Sequence, residues 1–141
     1  MHEIEIKNMA RMALDARDRA YAPYSQYKVG ACAKGGSGAY YIGCNIENAS
    51  YGLTNCAERT AIFKGISECE KSFTAIAIAG IDKGYPMPCG ACRQVMSEFC
   101  APYMPVVIVN AFGDYEVYTL SELLPYSFDK ANLVKSTGDN E

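Results

Sequence analysis

Phe73-Thr74-Ala75-Ile76-Ala77-Ile78-Ala79-Gly80-Ile81 is a nearly continuous apolar run. A strand with one wet face alternates apolar and polar residues. A short run without that alternation is the pattern of a strand covered on both faces. Helical spacing flanks it on either side. Residues 56–69 place Ala57, Ala61, Ile62, Gly65 and Ile66 on one side, with Thr54 or Asn55 as the expected cap; residues 89–100 turn Cys92, Val95, Met96 and Phe99 inward. A second buried strand, 105–110, follows. Strand-helix-strand connections of this kind predict parallel neighbours in the middle of a sheet, with helices on both faces.

Further out, Tyr27, Val29, Ala31 and Ala33 alternate along an expected strand over 27–33. A glycine-rich turn at 34–38 leads to a returning strand over 39–45, as in an antiparallel hairpin. A first helix is expected over 4–20 and must end before Pro23. Residues 115–119 read as a last strand and 121–125 as a helical turn. The order is α-β-β-α-β-α-β-β-α. The expected fold class is α/β, a three-layer α/β/α arrangement around a mixed five-stranded sheet. One domain over 1–134 is expected, with 135–141 as a polar, flexible tail.

Composition narrows the function. The chain of 141 residues is 50% hydrophobic, with a net charge of −3. An acidic chain without a basic cluster is poorly suited to a nucleic-acid backbone. No apolar run approaches the roughly 20 residues that span a bilayer, and the first residues lack a signal peptide's apolar centre. The expected location is the cytoplasm. Seven cysteines are many for this length, and the count is odd. In a reducing compartment such clusters read as metal ligands, redox groups or buried small hydrophobes. The single histidine, His2, sits at the terminus, so acid-base work near neutral pH must fall to other groups.

Two segments carry the chemistry: Asn55-Cys56-Ala57-Glu58-Arg59-Thr60-Ala61 and Pro88-Cys89-Gly90-Ala91-Cys92-Arg93-Gln94. The C-x-x-C spacing of Cys89 and Cys92 alone fits a zinc half-site or a redox pair. Both segments open expected helices, whose positive ends favour thiolates. Strands that run the same way start their following helices on one edge, so Cys56 can join the pair. Three thiol ligands with an open fourth position is how catalytic zinc is held. Glu58, off the direction of Cys56, can act as a proton carrier, or merely as an acid suited to a helix start. Three thiolates leave a divalent cation's site anionic. Arg59, one turn after Cys56, can offset that charge, and Arg93 is a weaker candidate.

With these segments, Tyr21-Ala22-Pro23-Tyr24-Ser25, Gly43-Cys44-Asn45-Ile46-Glu47-Asn48-Ala49 and Glu122-Leu123-Leu124-Pro125 complete a pattern that resembles the cytidine deaminase family. The closest likeness is to its small homotetrameric type with an all-cysteine zinc site, and it runs from about residue 8 to about residue 130. The resemblance implies one Zn²⁺ per chain on Cys56, Cys89 and Cys92. It implies that Glu58 moves a proton from the activated water to ring N3, while C4 is attacked and ammonia leaves. Cytidine and 2′-deoxycytidine would become uridine and 2′-deoxyuridine, in pyrimidine salvage. Ala57 would meet the base edge through its backbone, as would Cys89, and Asn45 and Glu47 would bracket a sugar hydroxyl. Tyr27 stands where the family usually has a phenylalanine on the pyrimidine face; its added hydroxyl needs a partner. Phe128 would reach into a neighbouring subunit's pocket. An aminopyrimidine nucleoside antibiotic as substrate, or a structural zinc or redox module, are the competing readings.

Overall fold

In a computed structural model, which describes residues 1–128, 130 and 133, the apolar run forms β3, Phe73–Ala79, at the centre of a five-stranded sheet. Before it come α1 (Glu3–Arg17), β1 (Gly30–Gly35), β2 (Tyr40–Cys44), a 3₁₀ turn (Tyr51–Leu53) and α2 (Ala57–Ser67). After it come α3 (Gly90–Phe99), β4 (Pro105–Val109), β5 (Tyr115–Thr119) and α4 (Leu120–Leu123). The sheet order is β2-β1-β3-β4-β5. Only β3 and β4 pair in parallel; β1 runs antiparallel to both β2 and β3, and β5 is antiparallel to β4. The expected tail, 135–141, and residue 134 lie outside the described residues.

The alternation of side chains along each strand separates two cores. Ala75, Ala77 and Ala79 of β3, with Cys32, Val107 and Val109, meet Ile6, Met9, Ala10 and Ala13 of α1. Ile76 and Ile78, with Ala31, Ala33, Val106 and Ile108, meet Ala57, Ala61 and Ile62 of α2 and Cys92 and Met96 of α3. A strand dry on both faces needs such cover, and the sequence supplies small residues where α1 lies close and larger ones opposite. Each fully buried Ile or Val side chain contributes about 1.5–3 kcal/mol relative to exposure. The expected α/β/α layers are thus those observed.

Several expected boundaries move, each for a local reason. β1 begins at Gly30 rather than at residue 27, because the amide of Asn45 takes the main chain ahead of it. Val29 N–H donates to Asn45 Oδ1 at 2.9 Å, and Asn45 Nδ2 donates to Tyr27 O at 2.8 Å. The strand then continues through Gly35, where its register on β3 shifts. The N-cap of α2 is Cys56 itself, not Thr54 or Asn55. The Asn55 side chain instead donates to Thr60 Oγ1. The expected turn at 121–125 is α4, which starts one residue earlier behind a capping box of Thr119 and Glu122.

One close approach sets the height of α2 over the sheet. A Cβ at Gly43 would stand 2.4 Å from Ala61 N and 2.6 Å from Ala57 O, both backbone atoms. Neither can move without displacing the helix. We expect Gly43→Ala to lower stability by about 1–3 kcal/mol, the usual cost of overpacking, read from the urea midpoint at unchanged slope. A midpoint equal to that of the parent would contradict so tight a fit.

Candidate active site

Because β2 and β3 point the same way, α2 and α3 begin at the same end of the sheet. Cys56 is the N-cap of α2, Cys89 the N-cap of α3, and Cys92 lies in the first turn of α3. The three sulfurs lie within 4.8 Å of one another, with Cys56 to Cys89 at 3.8 Å and Cys89 to Cys92 at 3.4 Å. A tetrahedral zinc with bonds of about 2.3 Å to sulfur sets its ligand sulfurs about 3.8 Å apart, so the cluster fits that ion. It is the one group of metal-binding character among the described residues, and no fourth His, Cys, Asp or Glu joins it.

The electrostatics suit a cation there. Cys56 is held down to about 5 by a hydrogen bond from the Cys92 thiol and by the Arg59 guanidinium. Arg59 Nη2 donates to Cys56 Sγ at 3.3 Å. The partner effect pushes Cys92 up, since its proton is held against Cys56 and its surroundings are dry. Of this pair Cys56 is the one that ionises more readily, and a bound cation would replace the proton that Cys92 shares with it. Arg59 thus reaches the sulfur one helical turn before it. Arg93 does not: its Nε donates to Pro88 O at 2.8 Å and its Nη1 to Leu123 O at 2.6 Å. It ties the Cys89 segment to α4 rather than reaching sulfur.

Glu58, in the first turn of α2, is 4% exposed. Burial pushes its carboxyl up to about 7, and the Cys56 charge adds to the effect. A carboxyl poised there can hold or release a proton near neutral pH.

A cavity of about 390 Å³ opens beside these groups and is lined by Cys56, Ala57, Glu58 and Cys89. Tyr27, Asn45 and Glu47 line it as well. Its size falls within the range of about 300–1,000 Å³ typical of small-molecule sites. Asn45 and Glu47 both have partners within the chain. The Asn45 amide braces residues 27 and 29, and Glu47 Oε1 accepts from Tyr24 N–H and Ser25 N–H, each at 3.0 Å. Ser25 Oγ donates to Glu47 Oε2. These donors, the hydroxyl first, keep Glu47 below the usual carboxylate range. The Tyr27 hydroxyl donates to Asp82 Oδ1 at 3.4 Å. Phe128 is 63% exposed and lies outside the cavity lining; its carbonyl accepts from Gln94 Nε2 at 2.6 Å. Spacing gave no sign of Ser25, Thr54 or Met87, which also face the cavity. Chain reversal through Pro23, not periodicity, brings Ser25 there.

Residues 4–108 match the family model described as the cytidine and deoxycytidylate deaminase zinc-binding region. The chain is 46% identical to a cytidine deaminase of Sporosarcina psychrophila over 130 residues, covering 92% of this chain and 96% of that one. It is 50% identical to a cytidine deaminase of Halalkalibacterium halodurans over 120 residues, 85% of this chain and 91% of the relative. Among solved structures, the cytidine deaminase of Burkholderia pseudomallei superposes with a TM-score of 0.84 at 46% identity, covering 91% of this chain and all of that one. The Cys56, Cys89 and Cys92 cluster gives the zinc of that region its place, one ion per chain. Among the described residues no helix is long and apolar enough to cross a membrane. With a matching zinc region, close relatives over nearly the whole chain and the three-sulfur cluster beside a buried glutamate, the chain belongs to the cytidine deaminase family of zinc-dependent hydrolases.

Proposed function

We propose that this chain hydrolyses cytidine and 2′-deoxycytidine to uridine and 2′-deoxyuridine with release of ammonia, in the cytoplasm, as part of pyrimidine salvage. The observation that carries the reading is a buried Glu58 beside three clustered thiols, opening on a cavity that also holds an amide and a carboxylate. A redox module would use the C-x-x-C pair but has no need of that glutamate.

Each residue then has a task. Cys56, Cys89 and Cys92 hold the zinc, and Arg59 offsets the thiolate charge by donating to Cys56. Bound zinc supplies the Lewis acidity that makes water nucleophilic near neutral pH. With the metal in place, Glu58 would take a proton from a water in the cavity and pass it to ring N3 while the water oxygen bonds to C4. Glu58 would then move the remaining proton of that water from the new C4 hydroxyl to the amine; the C4–N bond breaks as the C4 carbonyl forms, so cytidine and water become uridine and ammonia. The Ala57 backbone faces the base edge, and Tyr27 supplies an aromatic wall. Asn45 and Glu47 read the sugar. A carboxylate only accepts, so it selects a hydroxyl donor. Three donors already occupy Glu47, which leaves about one of its four acceptor sites for substrate.

Homotetramer formation completes the proposal, with Phe128 entering a neighbour's pocket. Large apolar side chains left on the surface support it, among them Tyr51 at 88%, Phe128 at 63% and Tyr126 at 105% exposure.

Zinc-loaded protein should convert cytidine and 2′-deoxycytidine, followed by the loss of absorbance. Glu58→Gln should keep zinc near one per chain while turnover falls by about 10²–10⁴-fold. No turnover by the loaded parent, or full turnover by the variant, would overturn the mechanism. In sedimentation equilibrium the parent should have the mass of four chains, and Phe128→Ala should raise KM or loosen that assembly. A fully active monomer would remove subunit-crossing sites from the account.

A further inference from the structure

The segment Tyr21-Ala22-Pro23-Tyr24-Ser25 has no task in the chemistry above, yet it is stitched to the sugar-reading residues. Tyr21 N–H donates to Asn45 O and Glu47 N–H donates to Tyr21 O, at 3.0 and 2.8 Å. The chain then reverses, with Gln26 N–H bonded to Ala22 O at 2.9 Å and Gln26 at φ 58°, the left-handed region that a residue other than glycine seldom takes. This reversal aims three donors at a single carboxylate: Tyr24 N–H, Ser25 N–H and the Ser25 hydroxyl. The same hydroxyl oxygen accepts from Tyr27 N–H at 3.0 Å. The carbonyl of Tyr27 is held in turn by Asn45 Nδ2 at 2.8 Å. The two main-chain groups of the aromatic wall are therefore fixed by Ser25 and by Asn45, and Ser25 is the junction between Tyr27 and Glu47.

We propose that Ser25 is a positioning residue for sugar recognition: its hydroxyl fixes the Oε2 of Glu47 and, through Tyr27 N–H, the neighbouring aromatic wall. The proposal rests on the reading of Glu47 as the acceptor for a sugar hydroxyl. The two backbone donors meet at Oε1, so they anchor one oxygen and leave the carboxylate free to pivot about it. Among the described residues only the Ser25 hydroxyl restrains Oε2, the oxygen with acceptor capacity left for substrate. Among the described residues, the hydrogen bonds of Ser25 go to Glu47 and Tyr27 and not to Glu58 or the three sulfurs, so proton transfer should not depend on it.

The test compares cytidine with 2′,3′-dideoxycytidine, which lacks the sugar hydroxyls that Glu47 would accept from. For each protein the ratio of kcat/KM for the two substrates is measured on one sample, so the fraction of folded enzyme cancels. Ser25→Ala should reduce that ratio about tenfold, through a raised KM for cytidine, as expected for loss of a hydrogen bond to a charged group. Ser25→Thr, which keeps the hydroxyl, should restore most of it. A ratio unchanged by Ser25→Ala overturns the role of Ser25 while leaving deamination intact. A parent that converts both substrates equally overturns the sugar role of Glu47 and Ser25 together. A parent that converts neither overturns the proposed function itself.

Discussion

The site depends on strand direction. β1 lies between β2 and β3 and runs against both, so β2 and β3 share one sense although they are not neighbours. The helices that follow them therefore start at the same sheet end. That places Cys56 next to Cys89 and Cys92, and puts the positive ends of two helices beside three sulfurs. The close approach of α2 to Gly43 then fixes how near Cys56 and Glu58 come to the thiols of α3. If α2 stood away from the sheet, the sulfurs would part and the glutamate would become wet.

The charges follow from that placement. A neighbouring thiol and one arginine stabilise the Cys56 thiolate, which suits the site to a cation. The same dry pocket works in the opposite direction on Glu58 and brings its proton affinity close to neutral pH. A single environment thus shifts neighbouring groups in opposite directions, because Cys56 has a thiol donor and a cationic partner while Glu58 is mainly desolvated. Acid-base chemistry is possible here without histidine.

Much of this was legible in the sequence. The uninterrupted apolar run of β3 reported a doubly covered strand, and the cysteine offsets reported a cluster once helix starts were placed at them. The direction of Arg59 followed from one helical turn. Side chains that capture main chain were not legible. The alternation over residues 27–33 looks like strand throughout, but Asn45 occupies the backbone of Tyr27 and Val29, so the ladder starts at Gly30. Arg93 carries the same charge as Arg59 in a similar position, and only the carbonyls of Pro88 and Leu123 show why it points elsewhere. Ser25 is one serine in a turn until the fold sets it against Glu47 across 22 residues of chain. Spacing reveals partners on one element; it says little about partners joined by a reversal.

The central claim is that three thiolates hold one zinc and leave its fourth position open beside Glu58. X-ray absorption at the zinc edge of the loaded protein tests it most directly. The account predicts three sulfur neighbours at about 2.3 Å and one lighter oxygen or nitrogen neighbour at about 2.0–2.2 Å. Four sulfur neighbours, or two, would contradict it.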